Sequence, residues 1–127
     1  KDDIEQLLKS DREEIPDMVV VGVQECRYAR KSTEPKGHQH IQFNHFVDLC
    51  LESLGSLWNT TTSGINIISS ISLMEMRLYI FGKEWVKRDA RNIEKGMEAT
   101  GIAHVVGNKG GLAIKMDICN KSFCFLS

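Results

Sequence analysis

The segment MVVVGV, residues 18–23, is an unbroken run of β-branched and small residues that is followed by two polar residues, Gln24 and Glu25. Because its apolar residues do not alternate with polar ones, the segment from Asp17 to Glu25 predicts a strand whose two faces are both covered. Such a strand needs a further layer of structure on each face. The chain has 127 residues, which suits a single domain with a small core.

Two other segments have the spacing of amphipathic helices. Apolar residues between positions 4 and 8 predict a short N-terminal helix. A longer apolar stripe predicts a second helix over residues 43–54, with Gly55 as its C-terminal stop. The segment 26–40 is polar and basic and contains proline and glycine, so it predicts a loop.

Later segments have the patterns of strands. Residues 74–81 and 112–118 alternate between the two faces of a sheet, and residues 65–72 and 123–127 predict two more strands. The segment 82–101 is charged and poorly patterned, and it predicts a long loop or a loose helix. The order of elements predicts a mixed α/β fold in which helices pack on a sheet of mostly antiparallel strands.

The charge and the cysteine content argue against several classes of protein. The formal net charge is −1, so no global positive field attracts nucleic acid, and we expect no nucleic-acid partner. No apolar run is long enough to span a bilayer. The four cysteines lie far apart and form no CxxC pair, which predicts reduced thiols and a cytoplasmic location.

Glu25 is a candidate metal ligand because it lies at the carboxyl end of the predicted buried strand. Ligands of α/β sheets bind outside the carboxyl ends of the strands. A carboxylate there can hold Mg²⁺, which takes oxygen ligands and keeps several waters. The alternative is a structural or solvated glutamate.

The second candidate site is the segment GNKGG, residues 107–111. It is not a nucleotide-binding P-loop, because Lys109 precedes the glycine pair and no helix follows. The backbone N–H groups of a turn at residues 108–110, together with the Lys109 ammonium, could face a phosphate. The alternative is a tight hairpin turn with a solvated lysine.

Two further clusters leave their roles open. Basic residues within the range 83–95 surround Trp85 and could touch a membrane headgroup region, although the acidic residues among them favour a solvated face. His38, His40 and His45 lack the fourth ligand and the spacing of a zinc site, so we expect no metal there.

Two blocks together carry a family resemblance. PDMVVVGVQE, residues 16–25, and TGIAHVVGNKGGLAIKM, residues 100–116, resemble the inositol polyphosphate 5-phosphatases of the Mg²⁺-dependent endonuclease/exonuclease/phosphatase superfamily. The segments LMEMRLYIF and KSFCFLS are also similar to family strands. The resemblance implies a four-layer sandwich of two mostly antiparallel sheets flanked by helices. Residues 1–127 would be the N-terminal portion of a single catalytic domain.

The resemblance also implies an activity. The domain would be a phosphoric monoester hydrolase that removes the 5-phosphate from phosphoinositide lipids or soluble inositol polyphosphates, with Mg²⁺ as its cofactor. It would act in the cytoplasm in peripheral contact with a membrane. Glu25 would be the catalytic residue that ligates Mg²⁺. The residues that bind substrate would be Asn108, Lys109, Gly110 and Gly111.

The sequence lacks several motifs of the family. The family's metal-associated asparagine, its catalytic histidine and its later motifs would lie outside residues 1–127. We therefore expect the 127 residues alone to have no turnover. Two alternative functions remain at this point: a nuclease of the same superfamily, which shares the Gln–Glu block, and a non-catalytic module that binds acidic headgroups through Lys109 and the basic loops.

Overall fold

The computed structural model describes residues 6, 14–24, 38–73, 76–99 and 110–127, with residues 38–45 described by their backbone. The strands, helices and one 3₁₀ turn within these ranges are β1 (Met18–Val23), α1 (His38–Leu57), the 3₁₀ turn (Thr62–Gly64), β2 (Asn66–Leu73), β3 (Met76–Gly82), α2 (Glu84–Asp89), β4 (Arg91–Ala99), β5 (Gly110–Ile118) and β6 (Lys121–Leu126). The predicted N-terminal helix, apart from residue 6, and residues 26–37 of the loop predicted over residues 26–40 lie outside the described residues.

The strands form two three-stranded antiparallel sheets. In the first sheet β3 is central, between β1 and β2, and in the second β5 is central, between β4 and β6. The mixed α/β class and the antiparallel pairing are therefore confirmed. Strands are also found where residues 17–25, 65–72, 74–81, 112–118 and 123–127 predicted them, although residues 25, 74 and 75 lie outside the described residues.

Both faces of β1 are packed, as its unbroken apolar run predicts. Met18 and Val20 pack against a core that lies between the two sheets, whereas Val19 and Val21 pack against a second core under α1. The buried side chains of the first core are those of Ile71, Met76, Leu78, Ile80, Val86, Leu112, Ile114, Met116 and Ile118. The second core comprises Cys50, Leu54, Ile65, Tyr79 and Phe81.

These two cores define three successive layers: α1, the β1–β3–β2 sheet and the β4–β5–β6 sheet. They follow the order of the predicted four-layer sandwich. The described residues include no helical layer on the outer face of the second sheet, where Leu126 is 77% exposed. Within the described ranges, no helix combines the length and the apolar character that crossing a membrane requires.

The predicted bounds of the long helix are wrong at both ends. Helix α1 begins at His38, within the segment predicted as a loop, and it continues past Gly55 to Leu57. Asn59, with φ of 49°, supplies the left-handed residue that ends the helix. The N–H of Thr60 then donates to the Gly55 carbonyl at 2.9 Å, which is the hydrogen bond of a Schellman stop.

The prediction of a long loop or loose helix over residues 82–101 is also wrong. This part of the chain forms the short helix α2 and the nine-residue strand β4. Eight of the nine β4 residues are exposed and the ninth is half-buried. An edge strand with so little burial has no alternation of apolar and polar residues, so the sequence carried no strand pattern there.

Candidate functional site

The carboxyl end of β1 and the amino end of β5 lie at the same edge of the two-sheet core. In the first sheet, Gly22 and Val23 pair with Leu78 and Arg77. Chain direction therefore places the end of β1 beside the start of β3. Two contacts then connect this end of the first sheet to the start of β5 in the second sheet.

The first contact joins Gly22 to Ser127. A Cβ atom at Gly22 would stand 3.0 Å from the Ser127 Oγ and 3.3 Å from the Ser127 Cβ. Ser127 in turn exchanges two backbone hydrogen bonds with Leu112, with N···O distances of 2.9 and 3.0 Å. Ser127 therefore connects Gly22 of the first sheet to Leu112, the third residue of β5 in the second sheet.

The second contact joins Met76 to Gly110. A Cβ atom at Gly110 would stand 3.1 Å from the Met76 Cε and would overlap the carbonyl oxygen of Glu98. Met76 is the residue before Arg77, which pairs with Val23 at the end of β1. The start of β5 therefore packs directly against the edge at which β1 ends.

Of the predicted site residues, the structure describes Gly110 and Gly111. They are the first two residues of β5, where they pair with Ala99 and Glu98. No described atom lies within 4 Å of a Cβ built at Gly111, so the described residues leave space for a side chain at this position. Glu25, Asn108 and Lys109 lie outside the described residues, and their roles stay predictions.

The described ends of the two strands limit where those residues attach. Glu25 follows Val23 by two residues, and Lys109 immediately precedes Gly110. Since each residue spans at most about 3.6 Å, the Cα atoms of Glu25 and Lys109 both have to lie close to this edge. Sequence patterns alone could not have revealed this, because the residues are far apart along the chain.

Arg77 and Ser127 also lie at this edge, although no sequence motif marks them as site residues. Arg77 is half-buried between Val23 and Ser72 on its two neighbouring strands, and its Nη1 donates to the Met76 carbonyl at 2.7 Å. A charged side chain inside an otherwise apolar strand was the available sign. Ser127 carried no sign beyond its place after a strand.

A metal at this edge would depend on Glu25. Within the described ranges, no three His, Cys, Asp or Glu side chains are grouped so that they could hold a metal ion. Strand β1 ends at Val23 and the chain bends at Gln24. Glu25 is the next residue along the chain. One carboxylate completed by water and phosphate oxygens is a donor set that suits Mg²⁺.

Two carboxyl groups with lowered pKa values, those of Asp89 and Asp117, lie away from this edge. Asp117 accepts hydrogen bonds from the Ser122 hydroxyl at 2.6 Å and the Asn92 amide at 2.8 Å, and these lower its pKa. The N–H of Cys119 donates to Asp89 and lowers the pKa of that carboxyl. These contacts join β4, β5, β6 and α2 at the opposite end of the second sheet.

The basic cluster around Trp85 is also at that opposite end. Helix α2 follows Gly82, which pairs with Met18 at the start of β1, and Lys83 forms a 2.7 Å ion pair with Asp17. The five residue steps along β1 separate the two ends by about 17 Å. Trp85 and the candidate site therefore lie at opposite ends of β1.

Comparison with known proteins supports the family resemblance. The family described as Endonuclease/Exonuclease/phosphatase family 2 matches residues 1–127. Inositol-1,4,5-trisphosphate 5-phosphatase 1 of Schizosaccharomyces pombe is 32% identical over 78 residues, which are 61% of this chain and 7% of that protein. The chain therefore spans less than a tenth of this curated relative.

Solved structures match the fold. The inositol polyphosphate 5-phosphatase domain of SpSynaptojanin, in complex with inositol (1,4)-bisphosphate and calcium ion, aligns with a TM-score of 0.62 and 25% identity, over 91% of this chain and 31% of that one. Cimex nitrophorin, in its ferrous NO complex, aligns with a TM-score of 0.62 and 21% identity, over 97% of this chain and 39% of that one. The nitrophorin match concerns the fold alone and shows that the fold does not select one function.

Proposed function

The chain belongs to endonuclease/exonuclease/phosphatase family 2, and we propose that it forms part of a domain that hydrolyses the 5-phosphate of inositol polyphosphates or phosphoinositides with Mg²⁺. The chain is inositol polyphosphate 5-phosphatase-like in sequence and in fold. The S. pombe relative is named for the 1,4,5-trisphosphate, and the synaptojanin domain is complexed with the 1,4-bisphosphate. These two compounds differ by the 5-phosphate alone.

The observation that carries this proposal is the common edge of the two sheets. The Gly22–Ser127 and Met76–Gly110 contacts hold the end of β1 against the start of β5. The residues that follow β1 and precede β5 include one carboxylate, Glu25, and one ammonium, Lys109. A metal-binding carboxylate and a phosphate-binding cation would supply two of the contributions to hydrolysis of a phosphate monoester, namely polarisation of the phosphoryl oxygens and stabilisation of their charge.

In this mechanism each residue has a distinct role. Glu25 would hold Mg²⁺, which when bound polarises phosphoryl oxygens and neutralises developing charge. Lys109 would stabilise the charge on the substrate's phosphates, and Asn108 would orient them through its amide. The absence of a side chain at Gly111 would let an anionic headgroup approach this face of β5 closely.

The setting is also part of the proposal. Cys50, Cys119 and Cys124 carry free thiols in the structure, which supports a reducing, cytoplasmic location. A lipid substrate would bring the candidate edge to the membrane surface, since its headgroup must reach the segment that contains Lys109. The Trp85 cluster, at the other end of β1, would then point away from the bilayer.

The test is release of inorganic phosphate from inositol 1,4,5-trisphosphate by a chain extended to the length of the synaptojanin domain. We expect Mg²⁺-dependent release that excess EDTA abolishes. Vesicles containing a 5-phosphorylated phosphoinositide provide a second arm that separates lipid from soluble substrate. A folded, extended protein that releases no phosphate in either arm contradicts the proposal, and cleavage of abasic DNA would favour a nuclease instead.

A further inference from the structure

Ser127 is fixed in place by the strand on one side and by Gly22 on the other. Its backbone continues the β6 pairing through two hydrogen bonds to Leu112, and Leu112 is almost fully buried. Its side chain meets β1 of the other sheet at Gly22. This arrangement makes Ser127 a spacer between the two sheets at the edge that carries the candidate site.

Gly22 is exposed near the end of β1, and a side chain there would crowd Ser127. The φ of Gly22 is not positive, so its backbone conformation is open to any L-residue. An alanine there would place a methyl group 3.0 Å from the Ser127 Oγ and 3.3 Å from the Ser127 Cβ, which is tighter than an ordinary van der Waals contact. By contrast, a Cβ at Gly96 would meet only the Ala113 Cβ, at an ordinary 3.9 Å.

The spacer lies close in the chain to both predicted functional segments. Gly22 precedes Glu25 by three residues, and Leu112, the pairing partner of Ser127, follows Lys109 by three residues. A change in the Gly22–Ser127 distance would therefore move the end of β1 relative to the start of β5, the two strand ends to which Glu25 and Lys109 are joined. Catalysis is sensitive to such movement, because a misplacement of about 1 Å can cost about 100-fold in rate.

We propose that Ser127 is a positioning residue that, by packing against Gly22, sets the distance between the metal-binding and phosphate-binding segments. The inference rests on the proposed 5-phosphatase function, and it adds a residue that acts through its packing rather than by touching substrate. It predicts that the sum of the side-chain volumes at positions 22 and 127 matters more than the identity of either residue.

The experiment compares Gly22→Ala, Ser127→Gly and the double variant in the extended protein, with Gly96→Ala as the matched control. Gly22→Ala is expected to lower kcat for phosphate release about 10-fold or more, with a smaller change in KM. The double variant is expected to regain most of the lost kcat, because removing both atoms of the Ser127 side chain frees the space for the new methyl group. Gly96→Ala is expected to leave kcat unchanged.

A second readout separates this inference from the proposed function. Melting temperatures of the same four proteins report the contact without any substrate: Gly22→Ala should lower the melting temperature and Ser127→Gly should restore it. Absence of this restoration, or an unchanged kcat in Gly22→Ala, would overturn the positioning role while phosphate release by the unaltered protein still stands. If the melting temperatures are coupled but the unaltered protein releases no phosphate, the proposed function fails, and the positioning role fails with it.

Discussion

Met76, at the start of β3, packs against Gly110, the first residue of β5, so closely that a Cβ at Gly110 would stand 3.1 Å from the Met76 Cε. Met76 is 2% exposed, so it has little room to move. This contact joins the two sheets at the edge where β1 ends. It explains why the first glycine of the pair that follows Lys109 has a structural role in addition to any role in binding.

Gly110→Ala is therefore expected to destabilise the protein by about 2 kcal/mol, because the added methyl group would overlap the Glu98 carbonyl and crowd Met76. The free energy of unfolding in urea measures this. Gly111→Ala is the matched control, since no described atom lies within 4 Å of its Cβ position. Equal stability losses for the two variants would contradict the assignment of separate roles to the two glycines.

Stability should also fall in acid because of three carboxylates. The pKa values of Asp17, Asp89 and Asp117 are lowered by hydrogen bonds from Lys83, Cys119 and Ser122, respectively. A lowered pKa contributes stability above the unfolded value of 3.8 and loses it as pH falls through the folded value. The melting temperature is expected to be nearly level from pH 7 to about pH 5 and to fall below about pH 4.

Asp117→Asn tests the part of this effect that comes from one carboxylate. Ser122 and Asn92 donate to different oxygens of the Asp117 carboxylate, and asparagine retains only one of these acceptors. The variant should therefore melt at a lower temperature at pH 7 and show a shallower fall in acid. Asp48→Asn, on the exposed face of α1, controls for the removal of a negative charge. An acid fall that is as steep in Asp117→Asn as in the unaltered protein would exclude this carboxylate as a cause.

The thiol of Cys50 should resist alkylation in the folded protein. Burial raises its pKa to about 11, so only about one molecule in a thousand carries the thiolate at pH 8. Iodoacetamide labelling followed by mass spectrometry should modify exposed Cys124 first and Cys50 only after unfolding. Modification of Cys50 at the rate of Cys124 would show that the core under α1 is open.

The two ends of β1 should differ in their contribution to substrate binding. Lys109→Ala is expected to weaken binding to vesicles that contain a 5-phosphorylated phosphoinositide. Replacing Lys87 and Arg88 by alanine, near Trp85, should leave binding nearly unchanged. Co-sedimentation with the vesicles measures both. A larger loss for the Lys87 and Arg88 variant would place the membrane contact at the opposite end of the sheets.

The sequence predicted the strands that are packed on one face or on both faces, because burial of a face requires apolar residues there and so produces a recognisable pattern. It identified β1 from MVVVGV and β5 from the alternation of Leu112 to Ile118. It could not identify β4, whose residues are nearly all exposed. It also placed the end of α1 at Gly55, since it had no means of recognising that Asn59 adopts the left-handed conformation.

The sequence indicated which residues could form the candidate site, but it did not indicate that the strands carrying them meet at one edge. A carboxylate after a buried strand and a lysine beside two glycines each indicated anion or metal chemistry. Their common edge depends on Gly22 meeting Ser127 and on Met76 meeting Gly110. These contacts join residues from different sheets, so no local pattern reports them.

The proposed 5-phosphatase function depends on Glu25 and Lys109 acting on one phosphate and one metal ion. The most direct test is a double-mutant cycle on phosphate release from inositol 1,4,5-trisphosphate in the extended protein, with Glu25→Gln, Lys109→Ala and the double variant. Each single change is expected to lower kcat/KM by about 100-fold, and the double variant should lose little more than the worse single variant, because residues of one site are not additive. Losses that multiply would show that the two residues act independently and would contradict a shared site.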